Sequence, residues 1–138
     1  IITRFENAGM KIIGMKMVWV DKKLSKEHYS EHIKKPFFKG LDEFIRSGPV
    51  IAMAIEGVDV VKNVRRIVGS TAPGDALPGT IRGDYAHHTY EYADRKGKSI
   101  ANIIHASGSD EEAKKEVSLW FEKSEIHTYK RADEHIVF

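Results

Sequence analysis

A histidine at the end of a short apolar run is the residue of this chain best suited to chemistry. In the segment NIIHASGS, residues 102–109, His105 follows two isoleucines and precedes small and polar residues. Glu116 lies one helical turn after Glu112, where its carboxylate could reach back to the imidazole. A carboxylate on one ring nitrogen fixes the tautomer and leaves the other nitrogen as a nucleophile. The alternative is a histidine that ends a strand and is satisfied by a backbone carbonyl.

Two arginines could bind an anion beside this histidine. Arg65 falls in a helical pattern, and Arg82 ends a glycine-rich loop in the motif TIRGD. A guanidinium stays charged and binds phosphate oxygens in a bidentate manner, although two solvated surface arginines are the alternative. Thr71 and Thr80 could donate to phosphate or serve turns. The sequence contains neither a Walker-type loop nor a GxGxxG before a helix, so a phosphate site would need side chains from separate segments.

Other histidines and aromatic residues give weaker signals. His28 and His32 have the spacing of metal ligands on a helix, but no third ligand supports them, so an exposed helix face is the simpler interpretation. The adjacent histidines at 87–88 are interpreted as surface residues. One ring of the pair Phe37 and Phe38 must face outward and could offer an aromatic surface to a base.

Composition favours a single domain over residues 1–138. The net charge of +2, from 22 Lys+Arg and 20 Asp+Glu, argues against a surface that coats nucleic acid. The chain has no cysteine, which excludes disulfides, thiolate nucleophiles and zinc–thiolate sites. It has no apolar run of membrane-spanning length and no signal-peptide pattern, so we expect a cytoplasmic protein that does not enter membranes.

Helices and strands are interleaved irregularly along the chain. The patterns predict a helix that ends before Gly9, a strand at 10–20 with both faces largely buried, a helix from Ser25 to about Lys35, a helix from Pro36 to 47, a central strand at 50–55, a helix at 60–68, a loop at 69–83, a short strand at 101–106 and a helix at 109–121 that a capping box of Ser109 and Glu112 begins. Residues 84–101 have no clear assignment. This order predicts an α+β sandwich with helices on one face of an antiparallel sheet.

Several motifs of the chain resemble, in order and register, those of the nucleoside diphosphate kinase family. They cover nearly the whole sequence: EHY at 27–29, PFFKGL at 36–41, SGPV at 47–50, TIRGD at 80–84, NIIHASGS at 102–109 and LWF at 119–121. PGTIRGD followed by NIIHAS is far more specific than a single short motif. The resemblance implies a ferredoxin-like α+β fold and transfer of the terminal phosphate between nucleoside tri- and diphosphates.

The resemblance also implies roles for individual residues. His105 matches the phosphorylated histidine, and Glu116 matches the glutamate that orients it. The other matches are the phosphate-binding side chains Arg65, Thr71 and Arg82, the ribose neighbour Asn102, Phe37 and Leu41 beside the base, and Tyr29 and Ser107 flanking the histidine. It further implies Mg2+ carried by the nucleotide, with no metal site of the protein's own, and a homo-oligomer, a hexamer being favoured over a tetramer.

The sequence departs from the family pattern in three places. The family begins with a central strand that ends in a lysine-containing K-P-D motif, whereas this sequence starts inside the following helix. We therefore expect upstream residues to be missing and activity to be poor, and a catalytically impaired nucleotide-binding member is the alternative function. Gly108 stands where the family usually has Asp, so Ser109 is expected to cap the helix. The long segment 85–101 is expected near the cleft or a subunit contact.

A nucleic-acid-binding module is a third hypothesis, because this fold class also includes RNA binders. Such a module needs aromatic residues on exposed strand faces and a basic surface. The strands VIAMAI and NIIHA carry no such aromatics. The sequence therefore argues against nucleic acid as a partner.

Overall fold

Two antiparallel strands form the sheet on which the helices pack. The computed structural model describes residues 1–138. The strands are β1, Lys11–Trp19, and β2, Pro49–Glu56, with Met15 opposite Met53 and an irregularity between Ile12 and Gly14. The helices are α1 (Ile2–Asn7), α2 (Lys22–His28), α3 (Phe38–Ile45), α4 (Val60–Val68), α5 (Ile81–Tyr85), α6 (Tyr90–Arg95), α7 (Asp110–Trp120) and α8 (Glu134–Val137), with 3-10 turns at Ser30–His32, Pro73–Asp75 and Lys123–Glu125.

The core lies between one face of the sheet and helices α1 and α4. Phe5, Met10, Val68 and Ile81 are buried together there. Burying apolar side chains of this size contributes about 1.5–3 kcal/mol each. The core therefore fixes α4 and the start of α5, the elements that carry the two candidate arginines.

Helix α2 begins earlier and ends earlier than predicted. The side chain of Asp21 caps it by accepting from the Leu24 backbone N–H at 2.7 Å. Ser25, predicted to begin the helix, is instead buried within it and donates to Asp42 at 2.6 Å. The predicted continuation to residue 35 is wrong, because α2 ends at His28 and a 3-10 turn follows.

The opposite face of β1 is covered by the segment that follows α7. The backbone N–H of His127 donates to the Ile13 carbonyl at 2.7 Å. Gly14 permits this approach, because a Cβ there would lie 3.0 Å from both the Glu125 carbonyl and Ile126, and 3.2 Å from Phe121. The C-terminal segment is thereby held against the sheet.

The prediction that both faces of β1 are largely buried is wrong. Met15, Met17 and Trp19 are 54%, 69% and 69% exposed. They alternate along the strand and so share one face, and their cross-strand neighbour Ile51 is also exposed, at 53%. This end of the sheet face is therefore open to solvent.

Two further strand predictions are wrong. The strand β2 was expected to be central, yet it pairs with β1 alone. The segment 101–106 forms no strand, and the carbonyls of Ile104 and Ala106 accept from arginine side chains instead of from a neighbouring strand. The predicted loop at 69–83 contains the turn Pro73–Asp75 and the start of α5, and the unassigned residues 84–101 contain the end of α5 and α6. None of the helices combines the length and hydropathy needed to cross a bilayer.

Candidate active site

Helix α7 brings a carboxylate onto the imidazole of His105. The His105 Nε2 atom lies 2.9 Å from Glu116 Oε1, and the Ser107 hydroxyl donates to Glu116 Oε2. An ionised carboxylate only accepts, so Nε2 is the protonated nitrogen and Nδ1 carries the lone pair. The His105 side chain is half exposed. The structure therefore forms the contact that the spacing suggested, and this contact leaves the Nδ1 lone pair free.

The turn after His105 is fixed by the start of α7. The Ser109 side chain caps the helix by accepting from the Glu112 N–H at 3.1 Å, as expected. The reciprocal half of the predicted capping box is wrong, because the Glu112 carboxylate accepts from the Gly108 N–H at 2.6 Å instead of from Ser109. A Cβ at Gly108 would lie 2.8 Å from that carboxylate. This short turn connects His105 to the start of α7, the helix that carries Glu116.

The environment of Glu116 keeps it ionised. Burial acting alone raises the pKa of this carboxyl group, but hydrogen bonds from His105 and Ser107 outweigh burial and hold the pKa below its usual value. The neighbouring Tyr29 is kept in its neutral form, because burial and the charge of Glu116 raise its pKa to about 12. The site thus holds one carboxylate against His105 and one neutral phenol against His28.

Arg82 is buried and holds the segments around the site together. Its guanidinium donates to the carbonyls of Gly69 at 3.0 Å, Ser70 at 3.2 Å and Ile104 at 2.8 Å. Its Nε atom is buried without a partner. Burial, and then the charge of Arg65, lower its pKa. The alternative of a solvated surface arginine is therefore wrong for Arg82.

Arg65 is exposed and only weakly held. Its Nη1 atom lies 3.5 Å from the carbonyls of Ala106 and Ser107, immediately after His105. Distances of this length make weak hydrogen bonds. The arginine ion pairs of the structure involve other residues, Arg4, Arg46 and Arg131. Two guanidinium groups without carboxylate partners therefore flank the histidine segment, and their charge favours an anion there.

Asn102 joins the histidine segment to the loop that contains Thr71. Its Nδ2 atom donates to the Thr71 carbonyl at 2.6 Å, while its Oδ1 atom is buried without a partner. The Thr71 residue is exposed. A buried polar atom without a partner is uncommon in proteins, so this acceptor marks a place where a donor from a ligand would be stabilised.

A series of rings leads from the surface to His105. Ring centroids are separated by 5.6 Å between Phe37 and His32, 6.3 Å between His32 and Tyr29, and 4.5 Å between Tyr29 and His28. Of the two adjacent phenylalanines Phe37 is the outward one, being 50% exposed. A half-buried Leu41 follows one turn later on α3. This surface could receive an aromatic ligand.

The interpretation of His28 as an exposed residue is wrong. Its side chain is only 4% exposed, and its Nδ1 atom accepts from Trp120 Nε1 at 3.1 Å. One signal could have indicated this contact: Trp120 was predicted on the buried face of α7, and a buried indole N–H needs an acceptor. The surface interpretation of residues 87–88 is also incomplete, because His88 Nδ1 accepts from the Ala101 N–H at 3.2 Å.

The potential metal ligands of this site do not suit magnesium. His28, His105 and Glu116 form a cluster whose ligand atoms lie within 4.8 Å of one another. Mg2+ prefers an octahedral shell of oxygen atoms and retains several waters. Two imidazoles and one carboxylate provide a different donor set, so this cluster is not suited to Mg2+.

Sequence relatives and solved structures agree on the family. The family model described as nucleoside diphosphate kinase matches residues 1–126. The nucleoside diphosphate kinase of Pyrococcus furiosus is 48% identical over 132 residues, which cover 96% of this chain and 78% of the relative. That of Methanothermobacter thermautotrophicus is 46% identical over 138 residues, which cover 100% of this chain and 85% of the relative.

Solved structures extend this likeness to the backbone. A transition state mimic of nucleoside-diphosphate kinase from Borrelia burgdorferi with bound vanadate and ADP has a TM-score of 0.94 at 40% identity, covering 99% of this chain and 84% of that chain. A nucleoside diphosphate kinase from Halobacterium salinarum in complex with CDP has a TM-score of 0.85 at 40% identity, covering 99% and 85%. The ferredoxin-like α+β fold class is thereby confirmed, and this chain belongs to the nucleoside diphosphate kinase family.

Proposed function

We propose that this chain transfers the γ-phosphate of a nucleoside triphosphate to a nucleoside diphosphate through a phosphohistidine at His105. The observation that carries this proposal is the pairing of His105 Nε2 with Glu116 at 2.9 Å, which leaves Nδ1 free. Membership of the kinase family, and the relatives' complexes with ADP and CDP, support nucleotides as the substrates.

The reaction has two half-reactions at one site. The Nδ1 lone pair of His105 attacks the γ-phosphorus in line, an N–P bond forms, and the bond from phosphorus to the β-phosphate oxygen breaks with release of the diphosphate. Glu116 stabilises the positive charge that develops on the imidazole, because its carboxylate holds the Nε2 proton. A second nucleoside diphosphate then attacks the phosphohistidine and restores His105. The kinetics are therefore ping-pong.

The remaining residues position the nucleotide. Phosphoryl transfer depends mainly on positioning and on charge stabilisation. Arg65 and the buried Arg82 lie where they can offset phosphate charge, and Arg82 Nε has a free donor. Thr71 adds a hydroxyl for phosphate, and Asn102 Oδ1 offers an acceptor to a ribose hydroxyl. Phe37 and Leu41 are expected beside the base. Tyr29 and Ser107 are expected to flank the histidine.

Magnesium is expected to arrive with the nucleotide. Mg2+ binds phosphate oxygens and water readily, and it supplies charge neutralisation to the phosphates when bound. The chain's own residues then bind, orient and shield the reacting groups. We further expect residues 1–138 to act as one nucleoside diphosphate kinase-like domain in a cytoplasmic homo-oligomer, a hexamer being favoured and a tetramer being the alternative.

Phosphohistidine formation tests the proposal directly. The protein is incubated with γ-labelled ATP and Mg2+, and we expect label that is acid-labile, base-stable and removed by added nucleoside diphosphate. His105→Ala should take up no label, whereas His135→Ala, which changes an exposed histidine on α8, should label normally. Nucleotide binding without label would favour the catalytically impaired alternative, and equal labelling of His105→Ala would exclude His105 as the nucleophile.

A further inference from the structure

A buried histidine that the proposed reaction does not use lies directly beside its nucleophile. His28 ends α2, and its ring packs at nearly right angles against both His105 and Trp120, with centroid distances of 4.7 Å and 5.4 Å. Its side chain is 4% exposed. An ionisable group buried this deeply, in contact with the reacting imidazole, is not explained by packing alone, because an apolar ring would avoid the cost of desolvation.

Trp120 determines which nitrogen of His28 carries the proton. The indole N–H only donates, and it points at His28 Nδ1 from 3.1 Å. Nδ1 must therefore carry the lone pair, so the proton of the neutral ring lies on Nε2. Burial, together with the nearby His105, lowers the pKa of His28 to about 4. The ring is consequently neutral at neutral pH, and its tautomer is set by one hydrogen bond.

The chosen tautomer affects Glu116. His28 Nδ1 lies 3.5 Å from Glu116 Oε1, the same oxygen that is 2.9 Å from His105 Nε2. A proton on His28 Nδ1 would lie close enough to that oxygen to interact with it and so compete with His105. With Trp120 bound to Nδ1, no such proton exists, and the oxygen remains available to His105.

We propose that His28, held by Trp120, is a positioning residue that reserves Glu116 for His105 by presenting an unprotonated nitrogen to the carboxylate. The inference rests on the proposed phosphoryl transfer, since it assigns His28 a part in orienting the nucleophile. It concerns a residue that touches the nucleophile and its carboxylate rather than the substrate.

Replacing Trp120 with Phe tests the mechanism because it removes the hydrogen-bond donor and keeps an aromatic ring at this position. In Trp120→Phe, His28 is free to place its proton on Nδ1 and donate to Glu116. We expect kcat to fall by about tenfold, the effect of losing one well-oriented hydrogen bond at the nucleophile, while KM for nucleotide changes less than about twofold because phosphate contacts persist. The matched control is Trp19→Phe, which changes the only other tryptophan, 69% exposed on β1, and should behave as wild type.

The tautomer itself is measured by long-range 1H–15N NMR spectra of the unphosphorylated protein, with the His28 signals assigned from His28→Asn. We expect Nε2–H for His28 in the wild type and a shift toward Nδ1–H in Trp120→Phe. This measurement does not need turnover, so it separates the two proposals: a wild type that takes up no label but shows these tautomers refutes the proposed function alone. Nδ1–H in the wild type, or an unchanged tautomer and kcat in Trp120→Phe, would overturn the inference.

A second pair of variants addresses a loss of folding in Trp120→Phe. In His28→Asn, the side-chain oxygen can accept from Trp120 near the position of Nδ1, whereas His28→Leu leaves the indole N–H unpaired. We expect the Asn variant to retain kcat within about threefold. The Leu variant should lose about tenfold, because the freed indole N–H of Trp120 can then donate to Glu116 and compete with His105 for it. Equal kcat values for the two variants would refute a role for the acceptor.

Discussion

Acid should weaken this fold through His28, and the size of the effect follows from its burial. The pKa of His28 is lowered from 6.5 to about 4 by burial and then by the adjacent His105. Each unit of difference between the pKa values of His28 in the folded and unfolded states changes the free energy of unfolding by about 1.4 kcal/mol. The free energy of unfolding should therefore decrease by about 3 kcal/mol on acidification through this window, a large share of the typical total for a domain.

The sign follows from where the proton binds. Below pH 6.5 the unfolded chain protonates His28, while the folded chain keeps it neutral down to about pH 4. The unfolded state thus binds more protons in this range, and lowering the pH favours it. The contribution of neutral His28 to the free energy of unfolding is complete above pH 6.5 and is lost as the pH falls toward 4. Glu116, whose pKa is held below its usual 4.5, adds a loss in the same direction only at the acidic end.

The assay compares urea unfolding of wild type and His28→Asn at several pH values from 7 to 4.5, at one protein concentration because assembly would contribute to stability. We expect the wild-type curve to fall more steeply, with the difference between the two proteins shrinking toward acid. His135→Asn is the matched control, since it removes an exposed histidine. Parallel curves for wild type and His28→Asn would refute the argument that His28 is buried in its neutral form.

Four further substitutions test other parts of the site. Glu116→Gln should lower the rate of phosphohistidine formation about tenfold, because a neutral amide forms a weaker hydrogen bond than a carboxylate; rapid-quench labelling measures it. Phe37→Ala should raise KM roughly tenfold with little change in kcat, since base stacking is worth about 1–3 kcal/mol. Gly83→Ala should lower the free energy of unfolding by about 2 kcal/mol, because its Cβ would lie 2.1 Å from the Leu77 carbonyl. Arg82→Lys should lower both activity and Tm, since a lysine cannot bind three carbonyls in the same fork.

Local patterns predicted the parts of the site that depend on one element. The contact of Glu116 with His105 follows from a helix that starts just after the histidine, and Ser109 caps that helix as its residue type suggests. The expectation that one ring of the Phe37 and Phe38 pair faces outward is met by Phe37, which immediately precedes the first residue of α3. In each case the relevant distance is set within one segment or across one short turn.

Features that depend on distant segments were not predictable in this way. The burial of His28 requires α2 and α7 to pack together, and no pattern within α2 indicates that contact. The exposure of Met17 on β1 depends on which helices extend over the sheet, whereas its apolar side chain suggested burial. Periodicity reports which side of an element is apolar, but it does not report what covers that side.

The failure of segment 101–106 to form a strand connects the fold to the proposed chemistry. Its carbonyl groups need donors, and the structure supplies them from Arg82 to Ile104 at 2.8 Å and, more weakly, from Arg65 to Ala106 at 3.5 Å. The cations that would bind phosphate therefore also hold the backbone on both sides of His105. The short bonds of Arg82 would keep the histidine in place while the long contacts of Arg65 could be exchanged for phosphate oxygens at little cost. Arg82 is thus suited to holding the proposed nucleophile in place while it offsets phosphate charge, and Arg65 is suited to exchanging its weak contacts for the phosphate.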